Sequence, residues 1–125
     1  RYGKDSIPYL LPYYKAQLDS NDDNKRNNAI IGIGNMGAAA LNLVPKLRTI
    51  LTSNNRDSKG YAATILGQIA RDVASIRQNG NLSTQQRQQA IAEFTKALRT
   101  MQAPNARFNA EPKERIRNAL TILSK

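Results

Sequence analysis

The feature that most restricts what this chain can fold into is self-similarity at an offset of 33 residues: Leu11-Pro12, Leu18, Ala29 and Ile33-Gly34 recur as Val44-Pro45, Leu51, Ala62 and Leu66-Gly67. A period of this size marks units too small to bury their apolar faces alone, so they must stack side by side. Stacked units present an extended surface in place of a deep pocket, which points to binding ahead of catalysis. With 125 residues, 40% of them apolar, there is matter for one continuous core and one domain.

The apolar spacing predicts six helices. Over residues 7–18, Ile7, Leu10, Leu11, Tyr14 and Leu18 recur at intervals of three and four, behind the capping candidates Asp5 and Ser6. Pro8 suits a first turn, whereas Pro12 lies deeper and should bend the axis or delay the regular start. A second helix should begin near Asn24 or Lys25, bury Ala29, Ile30, Ile33 and Met36, and stop at Gly34-Asn35-Met36-Gly37. A third, over residues 38–51, carries Pro45 where the first carries Pro12, and buries Leu41, Val44, Leu47, Ile50 and Leu51.

The fourth helix is expected over about 58–78, with Tyr61, Ala62, Ile65, Leu66, Ile69, Val73 and Ile76 on its stripe and Asn79-Gly80 as its stop. Ser83 or Thr84 caps a fifth, with Leu82 as a staple and Ala90, Ile91, Phe94, Ala97, Leu98 and Met101 on its face. Residues 103–110 have no period and read as a loop, after which Pro112 opens a sixth helix carrying Ile116, Ala119, Leu120 and Leu123. Strand-like alternation is absent. Taken pairwise, the helices make units of about 7–37, 38–80 and 83–125 in a single domain 7–125, behind an extension at 1–6. The third unit matches the offset loosely, its internal loop being longer by about ten residues.

Pro45-Lys46-Leu47 followed by Ala62-Ala63-Thr64-Ile65-Leu66-Gly67 resembles the HEAT repeat family, whose units pair a first helix containing a Pro-x-Leu element with a second helix of the form Arg, two spacers, Ala, then Leu-Gly. Arg26, Ala29 and Ile33-Gly34 supply the second-helix pattern of the first unit. The resemblance covers residues 7–78 clearly and 84–125 weakly. Tetratricopeptide and ankyrin units share the period, but their signature residues are missing. The resemblance implies an all-α fold, an α-α superhelix of about three HEAT-like (armadillo-like) helical pairs. It implies that Ala29 with Ala62, and Gly34 with Gly67, let neighbouring helices approach. It also places Arg26 and Lys59 at one repeat position, where a basic residue bonds an acid at the turn; Asp22, Asp23 and Asp57 are the expected acids.

Much catalytic chemistry is excluded. With no Cys and no His there is no thiolate nucleophile, no sulfur-held metal and no imidazole base. Glu93, Glu111 and Glu114 lack a paired carboxylate at convincing spacing, and no G-x-S-x-G occurs. Gly32-x-Gly34-x-x-Gly37 matches the bare dinucleotide pattern, but it lies where one helix ends and another begins, with no strand before it, so repeat packing is the favoured reading. No catalytic residue, metal or cofactor is expected. No window approaches the roughly 18 uninterrupted apolar residues of a membrane span, so a soluble protein is expected. The opening Arg1-Tyr2-Gly3 lacks Met, which reads as a processed or shortened chain and leaves localisation unread, with the cytoplasm as the weak default.

A formal charge of +10 attracts anionic partners without choosing among them. The leading expectation is a protein-protein interaction or scaffold module whose second helices line a concave face for an acidic or extended partner. Asn28, Asn35, Thr64, Gln68, Arg71 and Arg115 are its candidate contacts, with Ile31 and Asp72 beside them. The alternative is nucleic-acid or other polyanion binding, which needs Lys46, Arg48, Arg99, Arg107, Arg115 and Arg117 to converge into a ridge. A minor alternative, from fold-level likeness only, is an auxiliary protein similar to bilin lyases. Neither end is decisively polar, so the array is expected either to belong to a larger protein or to self-associate through its ends; Tyr13 and Tyr14 beside Lys15 are a candidate contact patch, against the favoured reading of one ring as core and one as rim.

Overall fold

Helix boundaries follow from side chains that occupy orphan backbone groups. In a computed structural model describing residues 7–125, α1 is Ile7–Leu18 and α2 is Asp23–Gly34. The expected extension at 1–6, with the caps Asp5 and Ser6, lies outside the described residues. Asp22 caps α2, its carboxylate accepting from the amides of Asn24 at 2.9 Å and Lys25 at 3.2 Å. α4 is Arg56–Gln78, capped by Asn55, whose side-chain oxygen accepts from the Ser58 amide at 2.9 Å. It starts two residues before the expected Ser58, because Asn55 takes the capping role and frees Ser58 for the interior.

The far end of α4 closes on Gly80, at φ 77. The Asn81 amide reaches Ile76 O at 3.1 Å and the Gly80 amide reaches Arg77 O at 3.0 Å, the two bonds of a Schellman stop. α5 is Thr84–Met101 and starts from a reciprocal capping box, in which Ser83 Oγ accepts from the Gln86 amide and Gln86 Oε1 accepts from the Ser83 amide. α6 is Ala110–Leu123, with Pro112 in its first turn.

Residues 38–51, expected as one helix, are two. Gly37–Leu43 is a 3-10 helix and Val44–Ile50 is α3. Pro45 explains the break: it has no amide hydrogen, and its ring would clash with the carbonyl four residues back, so α geometry begins only with Pro45 in the first turn. Pro12 acts differently, lying inside α1, which runs from Ile7 without a delayed start.

The helices pack in two rows. α1, the 3-10 segment with α3, and α5 form one row, while α2, α4 and α6 form the other, each helix lying against its pair mate and its neighbours in the row. Phe94, Leu66, Ile69, Val73 and Ile116 are fully buried along the seam. No strand occurs among the described residues, so the fold is all-α.

Spacing within the second row is set by two glycines 33 residues apart. A Cβ on Gly34 would collide with Ile65 of α4, and a Cβ on Gly67 would stand 3.3 Å from Pro112 Cα of α6. Each glycine therefore lets the next second helix lie close. Gly37, the third member of the glycine pattern, has φ 56 and ends the α2 turn; a Cβ there would strike the Asp72 carboxylate. That carboxylate accepts from the Ala38 amide at 2.7 Å and starts the 3-10 segment. The pattern is occupied by packing and turning.

Candidate functional site

On the outer side of the second row, α4 presents residues spaced by three and four that are small or polar: Gly60, Ala63, Thr64, Gln68, Arg71 and Ser75. Helix α6 and the loop before it rise along one side of this face. Three adjoining hollows result, of about 400, 150 and 490 Å³. Arg115 and Gly34 wall the first, Thr64 and Arg115 the second, and Thr64 with Pro112 the third, so the hollows form one groove. From Arg56 to Ser75 it follows α4 for roughly 28 Å, the length of about eight residues of extended peptide.

Four of the six expected partner contacts converge on the first hollow: Asn35 from the end of α2, Gln68 and Arg71 from α4, and Arg115 from α6. Thr64 lines the second and third. Asn28 departs from the set and faces a separate hollow of about 260 Å³ beside Tyr13 and Tyr14. Asp72 reaches the groove but is engaged by the Ala38 amide. Arg115 is paired with Glu111 at 2.7 Å, whereas Arg71 is exposed and makes no ion pair among the described residues.

The expected polyanion ridge does not assemble. Lys46 holds Asp19 at 2.9 Å and Arg48 holds Glu93 at 3.2 Å, both from α3 in the other row. Arg117 leans toward Glu114 at 3.6 Å, Arg115 is paired as above, and Arg99 lies on α5. Of that group, Arg115 and Arg107 alone reach the groove, at different hollows. Lys46, Arg48 and Arg99 lie in one row, Arg115 and Arg117 in the other and Arg107 in the loop before α6, so no helical phase joins the six.

Arg26 and Lys59, placed at one repeat position, part company. Arg26 bonds Asp23 as expected, and also donates to Ser20 O and to Ser58 Oγ at 2.9 Å each. Ser58, fully buried, passes its own hydrogen to Asn27 Oδ1 at 2.6 Å. Lys59 meets no acid among the described residues; its ammonium stands 5.7 Å from the centre of the Phe108 ring. Asp57 is exposed and Tyr61, expected on the buried stripe, is 42% exposed, standing before the buried apolar run of α4 that begins at Ala62. At the α1 end Tyr13 is exposed and Tyr14 half-buried, their rings edge to face at 5.4 Å.

Sequence reasoning missed Arg56 and Lys59, which line the third hollow with Arg107, Phe108, Asn54 and Asn109. One signal was available: Phe108 is a lone aromatic ring in a loop otherwise without large apolar residues. Among the described residues, no helix is long and apolar enough to cross a membrane. No family model, curated protein or solved structure matches the chain.

Proposed function

We propose that the chain is a non-catalytic binding module, a short array of three HEAT-like helical pairs, that holds an extended acidic segment of a protein partner along the groove of α2, α4 and α6. One observation carries this reading: Asn35, Gln68, Arg71 and Arg115, from three different helices, line a single hollow. Amides at Asn35 and Gln68 suit a peptide backbone, and the free guanidinium of Arg71 suits a carboxylate, which it takes in two parallel hydrogen bonds. The groove is open and long, which fits a segment better than a small enclosed substrate.

Nucleic-acid binding through the ridge named from the sequence has less behind it, since four of its six residues are paired with acids. Nothing in the groove favours a role like that of the bilin lyases. The test is a fluorescence-anisotropy titration with a Glu-rich peptide and its Gln-substituted twin. The acidic peptide should bind, the twin should not, and Arg71→Gln should weaken binding roughly tenfold by removing a charge-assisted contact. Equal binding of the two peptides, or no effect of Arg71→Gln, sinks the proposal.

A further inference from the structure

The hollow at the start of α4 differs in kind from the rest of the groove. Arg56 and Arg107 line it without an ion pair or hydrogen bond among the described residues, and Lys59 is held at its wall by the Phe108 ring. No carboxylate lines it. The nearest acid along the groove, Glu111, is taken by Arg115. Three cations gathered around about 490 Å³ with no anion repel one another, an arrangement that a bound anion relieves.

Gly60 adds an independent observation. Gly34 and Gly67 meet atoms of the next helix, but a Cβ on Gly60 would meet nothing within 4 Å. A glycine inside a helix weakens it, and packing gives no reason for this one. Its bare face is part of the lining of the same hollow. The absent side chain keeps that space open.

We infer that the Arg56, Lys59 and Arg107 cleft is a binding site for a phosphomonoester. The inference rests on the reading of the groove as a track for an acidic segment and assigns this end of it to a phosphorylated side chain. A carboxylate has two oxygens and is satisfied by one guanidinium. A phosphomonoester carries between one and a half and two negative charges, roughly, on three terminal oxygens, which matches three separate cations. Phe108 fixes the Lys59 ammonium and limits the orientations it must give up on binding. Asn109, whose side chain makes no cap bond to α6, has its amide free to donate.

The experiment titrates the whole chain, by anisotropy at physiological ionic strength, with a Glu-rich peptide carrying one central phosphoserine and with its unphosphorylated twin. Inorganic phosphate and a short oligothymidylate serve as further probes. The phosphopeptide should bind at least roughly tenfold tighter than the twin. Lys59→Gln and Arg107→Gln should abolish that difference while leaving the melting temperature unchanged, whereas Arg71→Gln should weaken binding of both peptides and preserve the difference between them. Gly60→Leu should abolish it too, by filling the cleft without altering charge. Equal binding of the two peptides overturns the phosphate site and leaves the groove reading standing. Binding of inorganic phosphate, lost in Arg107→Gln, with neither peptide bound supports the site, assigns it to a free phosphate compound and overturns the peptide track. Oligothymidylate binding tighter than either peptide, or no binding of any probe, overturns both.

Discussion

Arg26 and Lys59 stand 33 residues apart at the same place in successive units, each one turn into a second helix, and their surroundings are opposite. Around Arg26 the notch between units is filled: the guanidinium bonds the turn at Ser20 and Asp23 and the buried Ser58 of the next helix. Around Lys59 the corresponding notch is a cleft, with an aromatic ring against the ammonium and, nearby, two arginines that form no ion pair among the described residues. The longer loop of the third unit, which supplies Arg107 and Phe108, accounts for the difference. A shared repeat position thus fixes where a cation emerges, and the neighbouring turn decides whether it serves the fold or faces solvent.

Substitutions at the two positions should therefore separate. Arg26→Ala removes three hydrogen bonds and leaves buried Ser58 short of a donor, so urea unfolding should show a loss of about 3 kcal/mol. A change under about 1 kcal/mol would erase the contrast between the notches. Gly67→Val forces branched atoms against the Pro112 backbone and should cost about 2 kcal/mol by the same measurement. Wild-type stability there would mean that α6 can move aside and that the close approach is not required.

Smaller effects sharpen the same point. Gly37→Ala places a side chain at φ 56 and against Asp72, and calorimetry should find a loss of about 1–2 kcal/mol. Gly60→Ala, in open space within α4, should instead raise stability by about 0.5–1 kcal/mol; a loss would show that its bare face is needed by the fold and not by the cleft. Lys59→Gln should stay within about 0.5 kcal/mol of the parent, and a larger loss would give Lys59 the structural role of Arg26.

Much of the fold is legible in the sequence. The six-helix order follows from apolar spacing, and the capping box at Ser83 and the stop at Asn79-Gly80 are local signals read locally. Where reading failed, a neighbour decided the outcome. The fourth helix, expected from about residue 58, starts at Arg56, because Asn55 caps it while Ser58 is drawn inward by Arg26 and Asn27. Residues 38–51 look uniformly helical because periodicity records which side is apolar and not the ring clash at Pro45. The groove was partly legible, since Asn35, Gln68 and Arg71 follow from helical phase. The cleft was not, because Lys59 and Phe108 meet across a loop with no period.

Helix α4 lies against α2, the 3-10 segment, α3, α5 and α6 together. Linear arrays ordinarily fray unit by unit from their ends, each contributing its own increment. Here neither terminal unit can be separated from the rest without stripping one flank of the same central rod. Melting should then be a single all-or-none event, and the amide hydrogens buried deepest in that rod should be the last to trade with solvent.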